Sequence, residues 1–168
     1  MKISSLSAIL HALNHANVKY LVVGGVAVNL HGYQRVTADL DIVIQLNDAN
    51  IHGALQVFKE LDYKPTIPEP IESFADKSKR LAWIDSKNME VFQLRSARYE
   101  DTSIDVFVKE PFDFDKEYRQ ADEIELDREL KIRLIGTAAL IAMKQTADRD
   151  KDKDDIYNLR LLSEDGDE

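Results

Sequence analysis

The sequence predicts an α/β or α+β fold in which a mixed central sheet is flanked by helices. Helical and strand patterns alternate at the start of the chain, a strand-rich middle follows, and helical patterns return at the end. With 168 residues, 44% of them hydrophobic, the chain is long enough for one domain with its own core. We therefore expect a single domain over residues 1–162, followed by a disordered acidic tail over 163–168.

The first third of the chain has the clearest patterns. Helices are indicated by apolar residues at intervals of three and four, and buried strands by short uninterrupted apolar runs. By these criteria we expect helices at 4–16, 26–30 and 48–61, strands at 20–23 and 40–44, and a loop at 33–38.

The remaining two thirds have weaker patterns. The segment "KPTIPEP", residues 64–70, contains three of the four prolines and excludes long regular structure. Beyond it we expect a helical turn around Phe74, strands near 81–84, 89–94, 104–108 and 130–135, a short helix and a strand within 110–127, and helices at 137–146 and around 156–162.

Composition excludes several classes of protein. The absence of cysteine rules out disulfides and thiolate metal sites. The N-terminal residues are too polar for a signal peptide, and no apolar run approaches the roughly 20 residues of a membrane span, so we expect a cytoplasmic protein with no membrane association. The net charge of −9 argues against coating long nucleic acid but not against contact with one nucleic-acid end.

A glycine pair, Gly24-Gly25, ends the first predicted strand. Glycine at this position lets the backbone turn sharply and approach a ligand closely. A following helix would direct free N–H groups at that ligand, which suits phosphate. The alternative is a tight strand-to-helix turn that binds nothing, and the glycines alone favour this alternative.

Two carboxylates, Asp39 and Asp41, open the second predicted strand. Residues i and i+2 of a strand point to one face, so the two charges would repel each other unless a divalent cation relieved them. The alternative is an N-capping Asp39 and a solvated Asp41. A third carboxylate, Asp105, lies between Ile104 and Val106 in a later strand. If the two strands pair, three carboxylates converge, as two-metal phosphoryl or nucleotidyl transfer requires.

These motifs resemble the polymerase β-like nucleotidyltransferases, whose signature is a glycine pair, an Asp-x-Asp pair and a later aspartate. The stretch "GGVAVNLHGYQRVTADLDI" is similar to the opening of the minimal nucleotidyltransferases that include the abortive-infection (AbiEii-like) toxins of type IV toxin–antitoxin systems. The segment "LIAMKQTADRDKDKDDIYNL" is similar to that group's C-terminal motif. The resemblance covers about residues 17–162 and implies the nucleotidyltransferase fold.

The resemblance implies roles for the acidic and glycine positions. Gly24 and Gly25 would hold the triphosphate of the nucleotide. Asp39 and Asp41 would bind two Mg²⁺ ions, or Mn²⁺ in their place. Asp105 would bind the metal on the acceptor side and orient or deprotonate the attacking hydroxyl.

Further residues would contact the nucleotide. Arg35 and Thr37 precede the carboxylates in the family pattern and would contact phosphate or a metal-bound carboxylate, although an exposed arginine and a turn threonine are the simpler alternative. Lys144 follows the apolar run "ALIAM" and would reach the triphosphate. The superfamily often places a serine after the glycines, whereas this chain has Val26.

The expected activity is transfer of a nucleoside monophosphate from an NTP such as ATP to a hydroxyl, with release of pyrophosphate. The resemblance favours an RNA or tRNA end, or a protein, as the acceptor, and a toxin with an antitoxin partner. Three alternatives stay open: a small-molecule acceptor of the aminoglycoside type, a non-catalytic nucleotide-binding protein of the same fold, and a structural domain whose aspartates cap strands.

Overall fold

The computed structural model describes residues 1–165, and over these residues the chain folds around a seven-stranded mixed sheet. The strands are β1 (Tyr20–Val23), β2 (Asp39–Ile44), β3 (Tyr63–Pro65), β4 (Val91–Ser96), β5 (Ser103–Phe107), β6 (Asp122–Asp127) and β7 (Leu130–Leu134). The helices are α1 (Ile3–His15), α2 (Gly24–Leu30), α3 (Asp48–Glu60), α4 (Lys77–Lys87), α5 (Phe114–Gln120), α6 (Thr137–Ala147) and α7 (Asp150–Asp165), with a 3₁₀ turn at Ile71–Ala75.

The strand order is β3-β4-β5-β2-β1-β7-β6. Strands β2 and β5 are parallel neighbours, as are β1 and β7, and the other pairs are antiparallel. The predicted mixed sheet flanked by helices is therefore confirmed. Because β2 and β5 run in the same direction and pair along their length, both strands begin at the same edge of the sheet.

The two faces of β2 and β5 differ in character. Leu40 and Ile42 of β2, and Ile104 and Val106 of β5, are at most 1% exposed and form part of the main core. The residues that alternate with them at the starts of these strands are polar and only partly buried. This alternation follows from the two-residue period of a strand. It places the polar side chains at the first and third positions of β2 and β5 on one face of the sheet.

One predicted element is wrong. Residues 81–84 were expected to form a strand, because "LAWI" is a short apolar run, but they lie within α4. The Asp76 side chain caps this helix by accepting hydrogen bonds from the N–H groups of Ser78 and Lys79. Trp83 then packs on Phe92 of β4, with 5.2 Å between ring centroids. The helical cap upstream and a single inward-facing aromatic decide against a strand.

The start of α2 and the end of α7 also differ from the boundaries predicted from the sequence. The second helix begins at Gly24 rather than residue 26, so both glycines belong to its first turn. Helix α7 continues to Asp165, so the first three residues of the predicted acidic tail, 163–165, are helical, and the others, 166–168, lie outside the described residues. Among the helices described, none has the length and apolar character needed to cross a membrane.

Candidate active site

Three carboxylates converge at the edge where β2 and β5 begin, and we refer to Asp39, Asp41 and Asp105 as the carboxylate cluster. The parallel register places Asp41 directly opposite Asp105, and Asp39 opposite Ser103. Asp39 and Asp41 share a face because they are two residues apart on one strand. The structure therefore brings all three carboxylates to one sheet face, beside the junction of β1 and α2, since Val23 pairs with Asp41.

The charges of the carboxylate cluster act on one another. Burial, then the negative charges of Asp105 and Asp39, raise the pKa of Asp41 to about 7, although the Gly25 N–H partly opposes the change. Burial and the negative charge of Asp39 also raise the pKa of Asp105. The hydrogen bond from Gln93 lowers this pKa and offsets part of the rise. The ionised forms of Asp41 and Asp105 are thus disfavoured in this partly buried site.

Protein groups hold two of the three carboxylates. The Ser103 hydroxyl donates to Oδ1 of Asp39, and the Gln93 amide Nε2 donates to Oδ1 of Asp105 at 3.1 Å. Neither Ser103 nor Gln93 follows from the sequence motifs. Only the register of β5 with β2 and β4 reveals them.

The donor set fits a hard divalent cation. The carboxylate cluster offers only oxygen ligands, which Mg²⁺ and Mn²⁺ prefer, and a cation would relieve the repulsion that raises the pKa of Asp41. Within residues 1–165, no three histidine, aspartate or glutamate side chains already stand in metal-binding positions. Since Ser103 and Gln93 engage Asp39 and Asp105, small side-chain rotations would have to accompany metal binding.

Gly24 is required by the approach of Asp41. Its φ of +64° lies in the left-handed region, and a Cβ built on it would lie 2.1 Å from Oδ2 of Asp41. Gly25 has a different neighbourhood: a Cβ there would lie 2.7 Å from Oγ1 of Thr37 and 2.9 Å from Nη2 of Arg35. The glycine pair therefore lets the strand-to-helix junction close onto the carboxylate cluster and onto the loop that precedes it.

The loop at residues 33–38 is held in place by Asn29 of α2. The Asn29 side chain accepts from the backbone N–H of Arg35 and donates to its carbonyl, both at 2.9 Å. The Thr37 hydroxyl donates to the Asp39 carbonyl at 3.3 Å. Arg35 and Thr37 thus both lie next to Gly25, and Thr37 also contacts the backbone of Asp39.

Lys144 lies on α6 and is buried against residues of α7. Its ammonium is not exposed beside the site but is buried between α6 and α7, 2.6 Å from Oδ2 of Asp155 and 3.3 Å from Oδ1 of Asp152. Nε of Arg35 lies 2.9 Å from Oδ1 of Asp155, the oxygen that Lys144 does not contact. The apolar run before Lys144 does not reveal these partners, because both aspartates belong to α7. Contact with a triphosphate would require this ion pair to open.

Arg149 is a positive group that faces the carboxylate cluster. Its guanidinium donates to Asp152 at 2.9 Å and is otherwise more than half exposed. Its charge opposes the rise in the pKa of both Asp41 and Asp105. We refer to Lys144, Asp152 and Asp155, with Arg35 and Arg149 at either end, as the buried ion network, which connects α6 and α7 to the loop beside Gly25.

No family model and no curated protein matches the chain. Among solved structures, it is similar to a lincosamide antibiotic adenylyltransferase, LnuA, with lincomycin bound, at a TM-score of 0.64 and 20% identity over 96% of this chain and 98% of that chain. It is also similar to ANT(2")-Ia in complex with adenylyl-2"-tobramycin, at a TM-score of 0.57 and 14% identity over 95% of this chain and 87% of that chain. A nucleotidyltransferase-like protein from Paracoccidioides brasiliensis gives a TM-score of 0.52 and 18% identity over 95% and 73%.

These likenesses confirm the nucleotidyltransferase fold that the sequence motifs implied. The similarity extends over nearly the whole of this chain rather than over the glycine and aspartate motifs alone.

Proposed function

We propose that this chain, which has the nucleotidyltransferase fold, is a metal-dependent enzyme that transfers a nucleoside monophosphate from an NTP to a hydroxyl and releases pyrophosphate. One observation carries the proposal: the carboxylate cluster, with Asp41 opposite Asp105 on parallel strands and Asp39 on the same face. A folded domain gains nothing from three like charges in a partly buried site, whereas a metal-dependent transferase needs them.

The carboxylate cluster would hold two Mg²⁺ ions, with Asp39 and Asp41 contributing to both and Asp105 to the one on the acceptor side. When bound, such ions neutralise phosphate charge and lower the pKa of the attacking hydroxyl. Cation binding is supported by the crowding of three carboxylates in a partly buried site, where burial and then mutual repulsion raise the pKa of Asp41.

The remaining roles belong to the chain's own groups. Asp105 would accept the proton of the attacking hydroxyl while Gln93 holds its Oδ1. Gly24 and Gly25 would let the backbone approach the triphosphate. Arg35 and Thr37, next to Gly25, would supply hydrogen-bond donors where Val26 replaces a serine. Lys144 would join them only on opening of its pair with Asp155.

The donor nucleotide we expect is ATP, because LnuA is an adenylyltransferase and ANT(2")-Ia holds an adenylylated product. For the acceptor, the sequence motifs favour an RNA or tRNA end, or a protein, with a toxin role and an antitoxin partner. A small molecule is the second candidate. It is supported by the lincomycin and the tobramycin derivative bound to the two neighbours, and by the near-complete mutual coverage with LnuA.

The test is incubation of the protein with each of the four labelled NTPs, Mg²⁺ and three acceptor pools: total RNA, total protein, and a panel of lincosamides and aminoglycosides. We expect a labelled product in one pool and release of pyrophosphate, both lost with EDTA and with Asp105→Asn. Labelling that survives EDTA would contradict the proposal.

A thermal melt separates the alternatives. A nucleotide-binding protein without catalysis would be stabilised by Mg²⁺ with NTP and would give no product, because a ligand that binds only the native state stabilises it. A structural domain would show neither effect.

A further inference from the structure

The sheet face of the carboxylate cluster continues across β4 and β3. Gln93 of β4 pairs with Asp105, and Arg95 follows two residues later on the same face. Lys64 of β3 pairs directly with Arg95. Both Arg95 and Lys64 are exposed, whereas the residue between Gln93 and Arg95, Leu94, is buried on the opposite face. An open strip of sheet therefore leads from the carboxylate cluster to these cations.

Arg95 and Lys64 form a cross-strand pair of like charges, which we refer to as the cation pair. Like charges directly opposite each other destabilise a sheet. Among residues 1–164, no carboxylate lies within salt-bridge distance of either side chain, although the chain has a net charge of −9. The sheet thus tolerates an uncompensated concentration of positive charge at this position.

Protection of a sheet edge explains Lys64 but not Arg95. Lysine on an edge strand such as β3 commonly prevents pairing with another chain. Arg95 lies on β4, which has neighbours on both sides, so it has no edge to protect. Arg95 also lies on the same face as Gln93, whose amide contacts Asp105, and only two residues from it. The charge of Arg95 is therefore better explained by binding of a ligand than by protection of an edge.

The cation pair lies on the side of the carboxylate cluster away from the glycine pair. Gly24 and Gly25 follow β1, on one side of β2, whereas β4 and β3 lie on the other side, beyond β5. At roughly 4.8 Å between neighbouring strands, β4 is about 10 Å from β2. If the nucleotide lies against the glycines, the strip from Asp105 to Arg95 is left for the acceptor.

We propose that Arg95 and Lys64 bind a phosphate group of the acceptor, so that the acceptor is a hydroxyl compound that carries a phosphate near the reacting hydroxyl. The inference rests on the proposed function. The acceptor oxygen forms a bond to the α-phosphorus of the NTP, the bond from that phosphorus to the bridging oxygen breaks, pyrophosphate leaves, and the hydroxyl proton passes to Asp105. Arginine suits this recognition because its planar guanidinium binds two phosphate oxygens at once.

If Arg95 and Lys64 bind a phosphate, the chain is not expected to modify aminoglycosides. Tobramycin is a polycation, and the cation pair would repel it. A phosphate beside the hydroxyl is found at an RNA 3′ end and in sugar phosphates, and the experiment below distinguishes these two sources.

The first experiment measures binding without turnover. A 5′-fluorescein-labelled oligoadenylate with a free 3′ hydroxyl is titrated with protein in Mg²⁺ without NTP, and anisotropy is recorded at several salt concentrations. Glucose 6-phosphate binding is measured in parallel by calorimetry. We expect Arg95→Gln to weaken binding of at least one probe about tenfold or more, and, for the oligonucleotide, to reduce the salt slope by about 1.

Two variants make this result specific. Arg128→Gln removes the same charge from the exposed β6–β7 turn and should change binding less than twofold. Arg95→Lys keeps the charge but loses the bidentate geometry, so it should recover part of the affinity. If Arg95→Gln affects neither phosphate probe more than Arg128→Gln does, the proposal is overturned.

The second experiment measures transfer from labelled ATP to the oligoadenylate, glucose 6-phosphate, glucose and tobramycin. We expect transfer to a phosphate-bearing acceptor, with Arg95→Gln and Lys64→Gln raising the KM for that acceptor about tenfold and leaving the KM for ATP within about twofold. A rise in the KM for ATP alone would assign the cation pair to the nucleotide and overturn the proposal, as would preferred use of tobramycin. Absence of any metal-dependent transfer would count against the proposed function, while the binding experiment would still decide the role of the cation pair.

Discussion

The carboxylate cluster and the buried ion network are both groups of charges inside the fold, yet they are balanced in opposite ways. The cluster places three negative charges on one sheet face, where burial and their mutual repulsion raise the pKa of Asp41 to about 7. In the network positive and negative groups alternate. Burial alone would raise the pKa of Asp152, but hydrogen bonding from Arg149 and the charge of Lys144 outweigh it, so that the pKa falls below its usual value.

Compensation by opposite charge distinguishes a buried structural charge from one that indicates a site. Lys144 and its two aspartates are at most 4% exposed and pair with one another, so their charges are compensated within the chain. The carboxylate cluster has no such counter-charges in contact with it, and a cation would stabilise it. A charge that remains uncompensated after folding indicates ligand binding more strongly than a charge that is only buried.

The largest expected effect is on catalysis, from Asp105→Asn. Loss of the general base alone should lower the transfer rate about 10²–10⁴-fold. The metal-free variant should be as stable as the parent or more stable, because one of three repelling charges is gone and the asparagine can still accept from Gln93. The measurements are a transfer assay and a thermal melt in EDTA. Strong destabilisation of the metal-free variant would show that Asp105 is structural, and the contrast with the network would be lost.

The next effect is on the buried ion network, from Lys144→Met. Removing one partner of a buried ion pair leaves uncompensated charge, and we expect the free energy of unfolding to fall by about 3–5 kcal/mol, towards the lower end because Arg35 and Arg149 remain. Urea denaturation measures this change. Lys153→Met, which removes an exposed partner of Asp150, is the matched control and should cost less than about 1 kcal/mol.

The same variant tests whether Lys144 reaches the triphosphate. If Lys144→Met leaves stability unchanged and raises the KM for NTP, the lysine belongs to the site and the two groups of charges are not distinct.

A smaller effect is expected from pH. The pKa of Asp41 is raised to about 7, above an unfolded value of about 3.9, so the folded protein holds this proton more tightly than the unfolded chain. The stability that Asp41 contributes is therefore complete below about pH 4 and is lost as pH rises through 7, by roughly 2–4 kcal/mol. The check is the free energy of unfolding in EDTA from pH 4 to 8, wild type minus Asp41→Asn. A difference that does not vary with pH would mean that Asp41 is not under repulsion.

The smallest effect should come from Gly24→Ala. The residue has a positive φ, and the new Cβ would collide with the Asp41 carboxylate, so we expect a loss of about 1–3 kcal/mol together with weaker Mg²⁺ binding. Gly136→Ala is the control, because a Cβ there meets nothing within 4 Å and its φ is −61°. Equal effects of the two substitutions would show that Gly24 does not shape the carboxylate cluster.

Much of the fold follows from local patterns. The helices at 4–16 and 48–61 were expected from apolar periodicity and the strands at 20–23 and 40–44 from short apolar runs, and each appears within one residue of its predicted start. The prediction of a strand at 81–84 was wrong because four apolar residues in a row fit a strand and a buried helical turn equally well. Only the Asp76 cap and the packing of Trp83 on Phe92 distinguish the two.

The residue types of the candidate site can be predicted from the amino-acid sequence, because the glycine pair and the Asp-x-Asp motif are close along the chain and their chemistry is local. Tertiary structure alone decided which distant side chains meet: Asp105 with Asp41, Gln93 with Asp105, Arg95 with Lys64, and Lys144 with Asp155. Strand register and helix packing fix these contacts. A shift of one residue in register would turn a side chain to the opposite face, so no local pattern of residues can specify them.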